Sequence, residues 1–102
     1  MNLSNVFQKL SPNTPILRAT FGLERESLRI NTEGRVAQTP HPEKLGSRSF
    51  HPYIQTDYSE PQLELITPVA QSTTEARRFL GAITDVAIRS MDKSEYLWPL
   101  SM

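Results

Sequence analysis

The sequence contains no cysteine, which excludes disulfide bonds, thiol redox chemistry and cysteine-ligated metal sites. It has no excess of charge either, because 11 basic residues balance 11 acidic ones. This balance argues against nucleic acid or a membrane surface as a partner. No apolar run is long enough for a transmembrane helix, and the opening MNLSNVFQKL lacks the apolar stretch of a signal peptide. We therefore expect a cytoplasmic protein.

Motifs with a known chemistry are also scarce. The four glycines form no phosphate-binding loop, and no G-x-S-x-G nucleophile motif is present. His41 and His51 each precede a proline at a spacing that fits no zinc motif, so we interpret both as polar loop residues. The 102 residues are 37% hydrophobic and 22% charged, which is typical of one small globular domain.

The hydrophobic pattern predicts an α+β fold of antiparallel strands with flanking helices. A short helix is expected over residues 3–10 and a β-hairpin over 18–38, with helix as the alternative for 23–30. The hairpin would turn at 31–34, where Gly34 can adopt a positive φ.

The middle of the chain is expected to be a loop followed by extended structure. Residues 40–52 are rich in proline and predict a loop, with one helical turn near 42–45. Residues 53–69 look extended, and Pro61 makes them either one bulged strand or two short strands.

A helix over residues 73–91 is the clearest element. Ser72 and Glu75 have the spacing of a capping box, in which the Ser72 hydroxyl accepts from the Glu75 amide. Apolar residues then recur at helical spacing. The side chains expected on its buried side are Phe79, Leu80, Ile83 and Val86.

Two carboxylates precede the hairpin turn. Glu24 and Glu26 are two residues apart, so on a strand both project from one face, and Arg25 and Arg29 project from the other. Carboxylates placed side by side repel unless a cation lies between them. The alternatives are a metal site and a rim strand whose glutamates contact water or distant arginines.

A second acidic group comprises Asp57, Glu60 and Glu64. Glu64 lies in the apolar run QLELITP, where glutamate is uncommon in a strand. Asp57 and Glu64 would face opposite sides of one regular strand, but a register change at Pro61 could bring them together. A half-exposed strand without a ligand remains the alternative. Carboxylates without cysteine favour a hard cation such as magnesium, with manganese as the alternative.

Two long segments give the chain a resemblance to a known family. Residues 21–30 (FGLERESLRI) and 55–68 (QTDYSEPQLELITP) resemble the signature segments of bacterial glutamate–cysteine ligases, and His41-Pro42, Leu45-Gly46-Ser47 and the ending WPLSM fit the same order and spacing. The sequence of residues 56–62 (TDYSEPQ) most resembles the matching segment of bifunctional glutathione biosynthesis proteins, in which this ligase is fused to an ATP-grasp glutathione synthetase.

The resemblance implies a glutamine-synthetase-like catalytic domain with an antiparallel sheet around metal ions. The implied reaction joins the γ-carboxyl of L-glutamate to the amine of L-cysteine through a γ-glutamyl phosphate, with ATP as co-substrate, in the first step of glutathione biosynthesis. By resemblance, the metal ligands of this region are Glu24, Glu26, Asp57 and Glu64.

The family's enzymes are much longer, and their remaining metal ligands and ATP-binding residues lie downstream. We therefore expect residues 1–102 to be a truncated N-terminal segment of the catalytic domain, inactive alone and dependent on the remainder of the ligase polypeptide. The strands around Glu24 and Glu64 should then keep unpaired backbone groups on at least one side. The alternatives are a non-enzymatic module of the same lineage that binds metal or a ligase partner, and an α+β domain whose carboxylates are structural.

Overall fold

The described part of the chain forms two helices and four strands. The computed structural model describes residues 2–9, 19–47, 51–56 and 59–100. Its elements are α1 (Leu3–Lys9), β1 (Glu24–Asn31), β2 (Ile54–Thr56), β3 (Gln62–Ile66), α2 (Thr73–Ser90) and β4 (Glu95–Leu97), with a 3-10 turn at Glu43–Leu45. The predicted α+β layout is confirmed. None of the helices within the described ranges has the length and apolar character needed to cross a membrane.

The four strands form one antiparallel sheet in the order β2-β3-β1-β4. The ladder between β1 and β3 extends from Glu24 opposite Ile66 to Leu28 opposite Gln62. β2 pairs with the other edge of β3, so the run around Pro61 consists of two short strands rather than one bulged strand. The proline lies in the turn just before β3, where its missing N–H leaves the ladder intact.

β1 ends in the predicted turn. The Asn31 side-chain oxygen accepts from the amides of Glu33 and Arg35 at 2.9 and 3.0 Å, and Gly34 has φ of 77°. The returning arm makes a single bridge, between Ile30 and Val36, rather than a second strand. Helix was the wrong alternative for 23–30, because strand pairing outweighs the modest helix propensity of these residues.

The expectation of unpaired strand edges is wrong for β3, which lies between β2 and β1. The expectation is correct for part of β1, which has an unpaired edge. The β4 ladder covers only Arg29–Asn31, and the Trp98 amide adds one bond to the Leu28 carbonyl at 2.8 Å. The next residue, Pro99, has no N–H to donate. Toward Glu24, no strand of the described residues pairs with this edge of β1.

α2 packs against one face of the sheet. It begins at a cap in which the Ser72 Oγ accepts from the Glu75 amide at 3.1 Å, and Glu75 Oε1 accepts from the Gln71 amide at 3.2 Å. The resulting core joins the 3-10 turn, β2, β3 and α2. Its buried members are Leu45, Ile54, Leu63, Leu65, Ile83, Ala87 and Met91.

The predicted buried side of α2 is correct for Ile83, while Phe79 and Leu80 are half-buried. The prediction is wrong for Val86, which is 48% exposed. The buried stripe passes through Ala76, Ile83 and Ala87, and Val86 lies about 80° around the helix from Ala76 at 3.6 residues per turn. Val86 therefore lies at the margin of the buried stripe.

The helix cap gives a first test. Ser72→Ala is expected to reduce the free energy of unfolding by about 0.5–2 kcal/mol, because the Glu75 amide loses its acceptor. Urea denaturation followed by circular dichroism measures the change. Thr74→Ala is the matched control, since Thr74 is an exposed hydroxyl residue within the same turn, and it should stay within about 0.5 kcal/mol. Equal effects for the two variants would contradict the capping role.

Candidate functional site

Three of the predicted carboxylates share the sheet face that lies opposite α2. In the β1–β3 ladder Glu26 is directly opposite Glu64, and Glu24 lies two residues before Glu26 on the same face. Glu24 and Glu26 are exposed and Glu64 is half-buried. We call this surface, defined by Glu24, Glu26 and Glu64, the carboxylate face. The prediction that Glu24 and Glu26 project from one strand face is confirmed, and the ladder adds Glu64 to that face.

Glu26 and Glu64 occupy a close cross-strand position. The bonds that join β1 and β3 involve odd-numbered residues of β1, as shown by Thr67 N to Leu23 O at 2.9 Å and Arg29 N to Pro61 O at 2.8 Å. The pair is therefore of the non-hydrogen-bonded kind, in which opposite Cα atoms are about 4.5 Å apart and the side chains are closer than in the other kind. Like charges at this position destabilise a sheet unless a cation offsets them.

Gln55 extends the row of oxygen donors. It lies opposite Glu64 on β2, so Glu26, Glu64 and Gln55 follow one another across three strands on the carboxylate face. The side chain of Gln55 donates to the His51 carbonyl at 3.2 Å. This contact uses the amide nitrogen of Gln55.

The other acidic candidates are placed differently. Asp57 lies outside the described residues, so its predicted role as a ligand stays a prediction. The Glu60 side chain accepts from the His41 amide at 2.7 Å and thereby joins the 40–47 loop to the turn before β3.

The donors of the carboxylate face fit a hard cation. All of them are oxygens, which magnesium and manganese prefer, and two of them face each other across the ladder. Within the described ranges, no three acidic or histidine side chains converge closely enough to form a complete metal cluster. Glu24, Glu26 and Glu64 therefore do not form a complete coordination shell by themselves.

The two histidines are structural residues of the loop. His41 is buried, and its Nδ1 is hydrogen-bonded to the Thr56 hydroxyl. His51 Nδ1 accepts from the amides of Tyr53 and Ile54 at 3.1 and 3.0 Å and so caps the start of β2. The interpretation of both as loop residues is confirmed, although His41 is more buried than an ordinary polar loop residue.

A buried polar network, which sequence reasoning missed, lies on the opposite face of β1. Arg29 is fully buried, and its Nη1 donates to Glu95 Oε1 at 3.0 Å and to the Thr39 hydroxyl at 2.7 Å. Its Nη2 donates to the carbonyls of Thr39 and Glu60 at 2.8 and 3.0 Å. We call Arg29, Thr39, Glu60 and Glu95 the Arg29 network. The sequence around Arg29 gave no signal of its burial, because Arg25 and Ser27 on the same side of the strand are polar, and its partner Glu95 is 66 residues away.

Glu95 enters this network from a turn that is itself hydrogen-bonded. The Glu95 amide donates to the Asp92 carbonyl at 3.0 Å. The amide and hydroxyl of Ser94 donate to Asp92 Oδ1, and these bonds lower the pKa of the Asp92 carboxyl below its usual value. The turn therefore fixes where β4 begins and aligns Glu95 opposite Asn31.

Known proteins match nearly the whole of this chain. The family model described as glutamate-cysteine ligase matches residues 5–102. The glutathione biosynthesis bifunctional protein GshAB of Streptococcus thermophilus strain CNRZ 1066 is 67% identical over 102 residues, which are 100% of this chain and 14% of that protein. The protein of the same name from Enterococcus faecalis is 58% identical over 102 residues, with the same coverage of both chains.

Solved structures agree in fold. A bifunctional glutathione synthetase from Pasteurella multocida superposes with a TM-score of 0.79 at 48% identity, covering 83% of this chain and 11% of that one. A glutamate–cysteine ligase from Francisella tularensis in complex with AMP superposes with a TM-score of 0.80 at 33% identity, covering 83% of this chain and 17% of that one. The chain spans about 14% of the length of the curated relatives named above. With its family model matching residues 5–102, the chain belongs to the glutamate–cysteine ligase family.

Proposed function

We propose that this chain is the N-terminal part of a ligase catalytic domain and supplies carboxylates to its divalent-cation site. The reaction joins the γ-carboxyl of L-glutamate to the amine of L-cysteine with ATP as co-substrate. The observation that carries the proposal is the direct opposition of Glu26 and Glu64, with Glu24 beside them, on the sheet face away from α2. Membership of the glutamate–cysteine ligase family supplies the chemistry that such a face would serve.

The reaction has two steps. A γ-carboxylate oxygen of glutamate attacks the terminal phosphorus of ATP, which forms γ-glutamyl phosphate and releases ADP. The cysteine amine then attacks the acyl carbon, loses a proton and expels phosphate. A bound magnesium ion, with manganese as the alternative, would neutralise charge on the phosphate oxygens. The AMP-bound relative from Francisella tularensis supports a nucleotide substrate.

The role of this chain's own residues is to hold and orient. Glu24, Glu26 and Glu64 lie on adjacent strands of one ladder, so their backbone positions are fixed by the sheet rather than by a flexible loop. Rigid placement matters because positioning and preorganised charge account for most of the rate of phosphoryl transfer. We propose that Asp57 and the remainder of a ligase polypeptide complete the cation site. Because ATP is a co-substrate, we also propose a cytoplasmic location.

A chimera tests this proposal. The matching 102-residue segment of the Streptococcus thermophilus relative is replaced by this chain, and the product is called the chimera below. Formation of γ-glutamylcysteine is measured with ATP, glutamate, cysteine and magnesium. We expect turnover by the chimera and none by the 102-residue chain alone, which carries no glycine-rich phosphate loop.

The unmodified relative is the positive control, and thermal melts show whether the chimera is folded. A folded chimera without turnover would contradict the proposal. Product formed by the chain alone would contradict its dependence on further polypeptide. Manganese binding to the chain without activity in the chimera would favour the alternative, a non-enzymatic metal-binding module.

A further inference from the structure

We propose that Arg29 is a positioning residue that sets the strand register of the carboxylate face. Its buried guanidinium would hold β1 and β3 in the alignment that places Glu26 opposite Glu64. This inference rests on the proposed cation-binding role of that face. Arg29 itself is on the α2 side of the sheet, so it acts through the backbone and not by contact with the cation.

The contacts of Arg29 join four separate segments. Beyond its position in β1, it bonds the arm at Thr39, the Glu60 carbonyl in the turn before β3, and Glu95 at the start of β4. Four of the five guanidinium N–H groups are used in this way, and the fifth, on Nε, is buried without a partner among the described residues. An arginine in this position connects the strands with fixed geometry, because its donors lie in one rigid plane.

The β1–β3 ladder relates these contacts of Arg29 to the positions of the carboxylates. The Arg29 amide donates to the Pro61 carbonyl at 2.8 Å, and the side chain of the same residue holds the adjacent Glu60 carbonyl. Glu26 lies three residues before Arg29, and Glu64 lies three residues after Pro61, so both pairs belong to one continuous register.

A slip in this register would separate the carboxylates. A slip by one residue exchanges the two faces of a strand, and a slip by two residues keeps the faces but changes the partners. After a two-residue slip, Glu26 would be opposite Gln62 or Ile66 rather than Glu64. Either slip would also move the Glu60 carbonyl away from the guanidinium. Arg29 therefore favours the one alignment that pairs the carboxylates.

Charge at the carboxylate face is not the route by which Arg29 acts. Its positive charge is paired with Glu95 at 3.0 Å, and both side chains are almost fully buried. Lysine would keep the charge but could not make the four directed bonds of the planar guanidinium. Arg29→Lys thus separates the geometric role from the electrostatic one.

The test compares two destabilised variants of the chimera. Arg29→Lys should raise the magnesium concentration that gives half-maximal turnover about tenfold. Substitutions of residues that orient metal ligands commonly weaken metal binding by this amount. Ile83→Ala is the stability control, because it removes a buried core side chain of α2 that is not part of the Arg29 network. It should lower the melting temperature but change the magnesium requirement less than about twofold, because the ladder contacts stay in place.

Each outcome supports or overturns the positioning role of Arg29. An unchanged magnesium requirement in Arg29→Lys, or an equal rise in both variants at similar melting temperatures, would overturn the proposal. If Arg29→Lys does not fold, the titration is repeated with trimethylamine N-oxide, which favours the folded state. Failure to fold under those conditions would make Arg29 a purely structural residue and also overturn the proposal.

Glu64→Gln in the same chimera separates this inference from the proposed function. If Glu64→Gln leaves the magnesium requirement unchanged, the cation-binding role itself is wrong. If Glu64→Gln raises it and Arg29→Lys does not, the cation-binding role stands and only the positioning role of Arg29 is wrong.

Discussion

Glu64→Gln, introduced into the chimera, is expected to lower turnover about 100-fold or more and to raise the magnesium requirement. Charge neutralisation by a bound cation is worth several kcal/mol in the transition state, and about 1.4 kcal/mol corresponds to a factor of ten in rate. Glutamine preserves the size of the side chain and its hydrogen-bonding oxygen but removes the charge that, in the proposed role, would hold the ion. Glu24→Gln should act in the same direction, since Glu24 lies on the same face.

Initial rates at a series of magnesium concentrations, with ATP and both amino acids saturating, measure these effects. Glu33→Gln is the matched control, because Glu33 is an exposed glutamate of the hairpin turn whose Arg35 pair is long at 4.0 Å. It should leave both the rate and the magnesium requirement unchanged. Full activity in Glu64→Gln and Glu24→Gln would remove the assignment of the carboxylate face to the cation.

Glu95→Ala should have the largest effect on stability, a loss of about 3–5 kcal/mol in the free energy of unfolding. Removing one partner of a buried ion pair leaves the other charge uncompensated, and Arg29 has no access to water. A loss of this size approaches the total stability of a small domain, which is about 5–15 kcal/mol. We therefore expect the 102-residue variant to be largely unfolded in mild urea.

Asp85→Ala is the control for burial. Asp85 pairs with Arg89 at 3.1 Å, but both side chains are mostly exposed, so its loss should cost less than about 1 kcal/mol. Urea titrations of the two variants, followed by circular dichroism, give the comparison. Similar losses for Glu95→Ala and Asp85→Ala would show that the burial of the Arg29 pair adds little.

Local features were predicted well from the sequence. The cap at Ser72 and the spacing of apolar residues determine α2, because both act within a few residues. The turn at Gly34 follows from a positive φ that glycine adopts at no steric cost. The shared face of Glu24 and Glu26 follows from strand alternation alone.

Long-range features were not predictable in the same way. The position of Glu64 opposite Glu26 depends on the register between β1 and β3, which a pattern along one strand does not determine. The pairing of Arg29 with Glu95 joins residues 66 apart, and the exposure of Val86 depends on which part of α2 the sheet covers, which helical spacing alone does not determine. The proposed ligand roles came from the family resemblance and not from spacing.

The alternation of side chains along β1 has an evolutionary consequence. Its odd-numbered residues, such as Ser27 and Arg29, belong to the buried interior, while Glu24 and Glu26 belong to the carboxylate face. Under the proposed cation-binding role, substitutions at neighbouring positions would be subject to different selection, one on stability of the fold and the other on affinity for an ion. Because only the backbone separates the two sets, a lineage could adjust its ion preference at even positions without redesigning the interior.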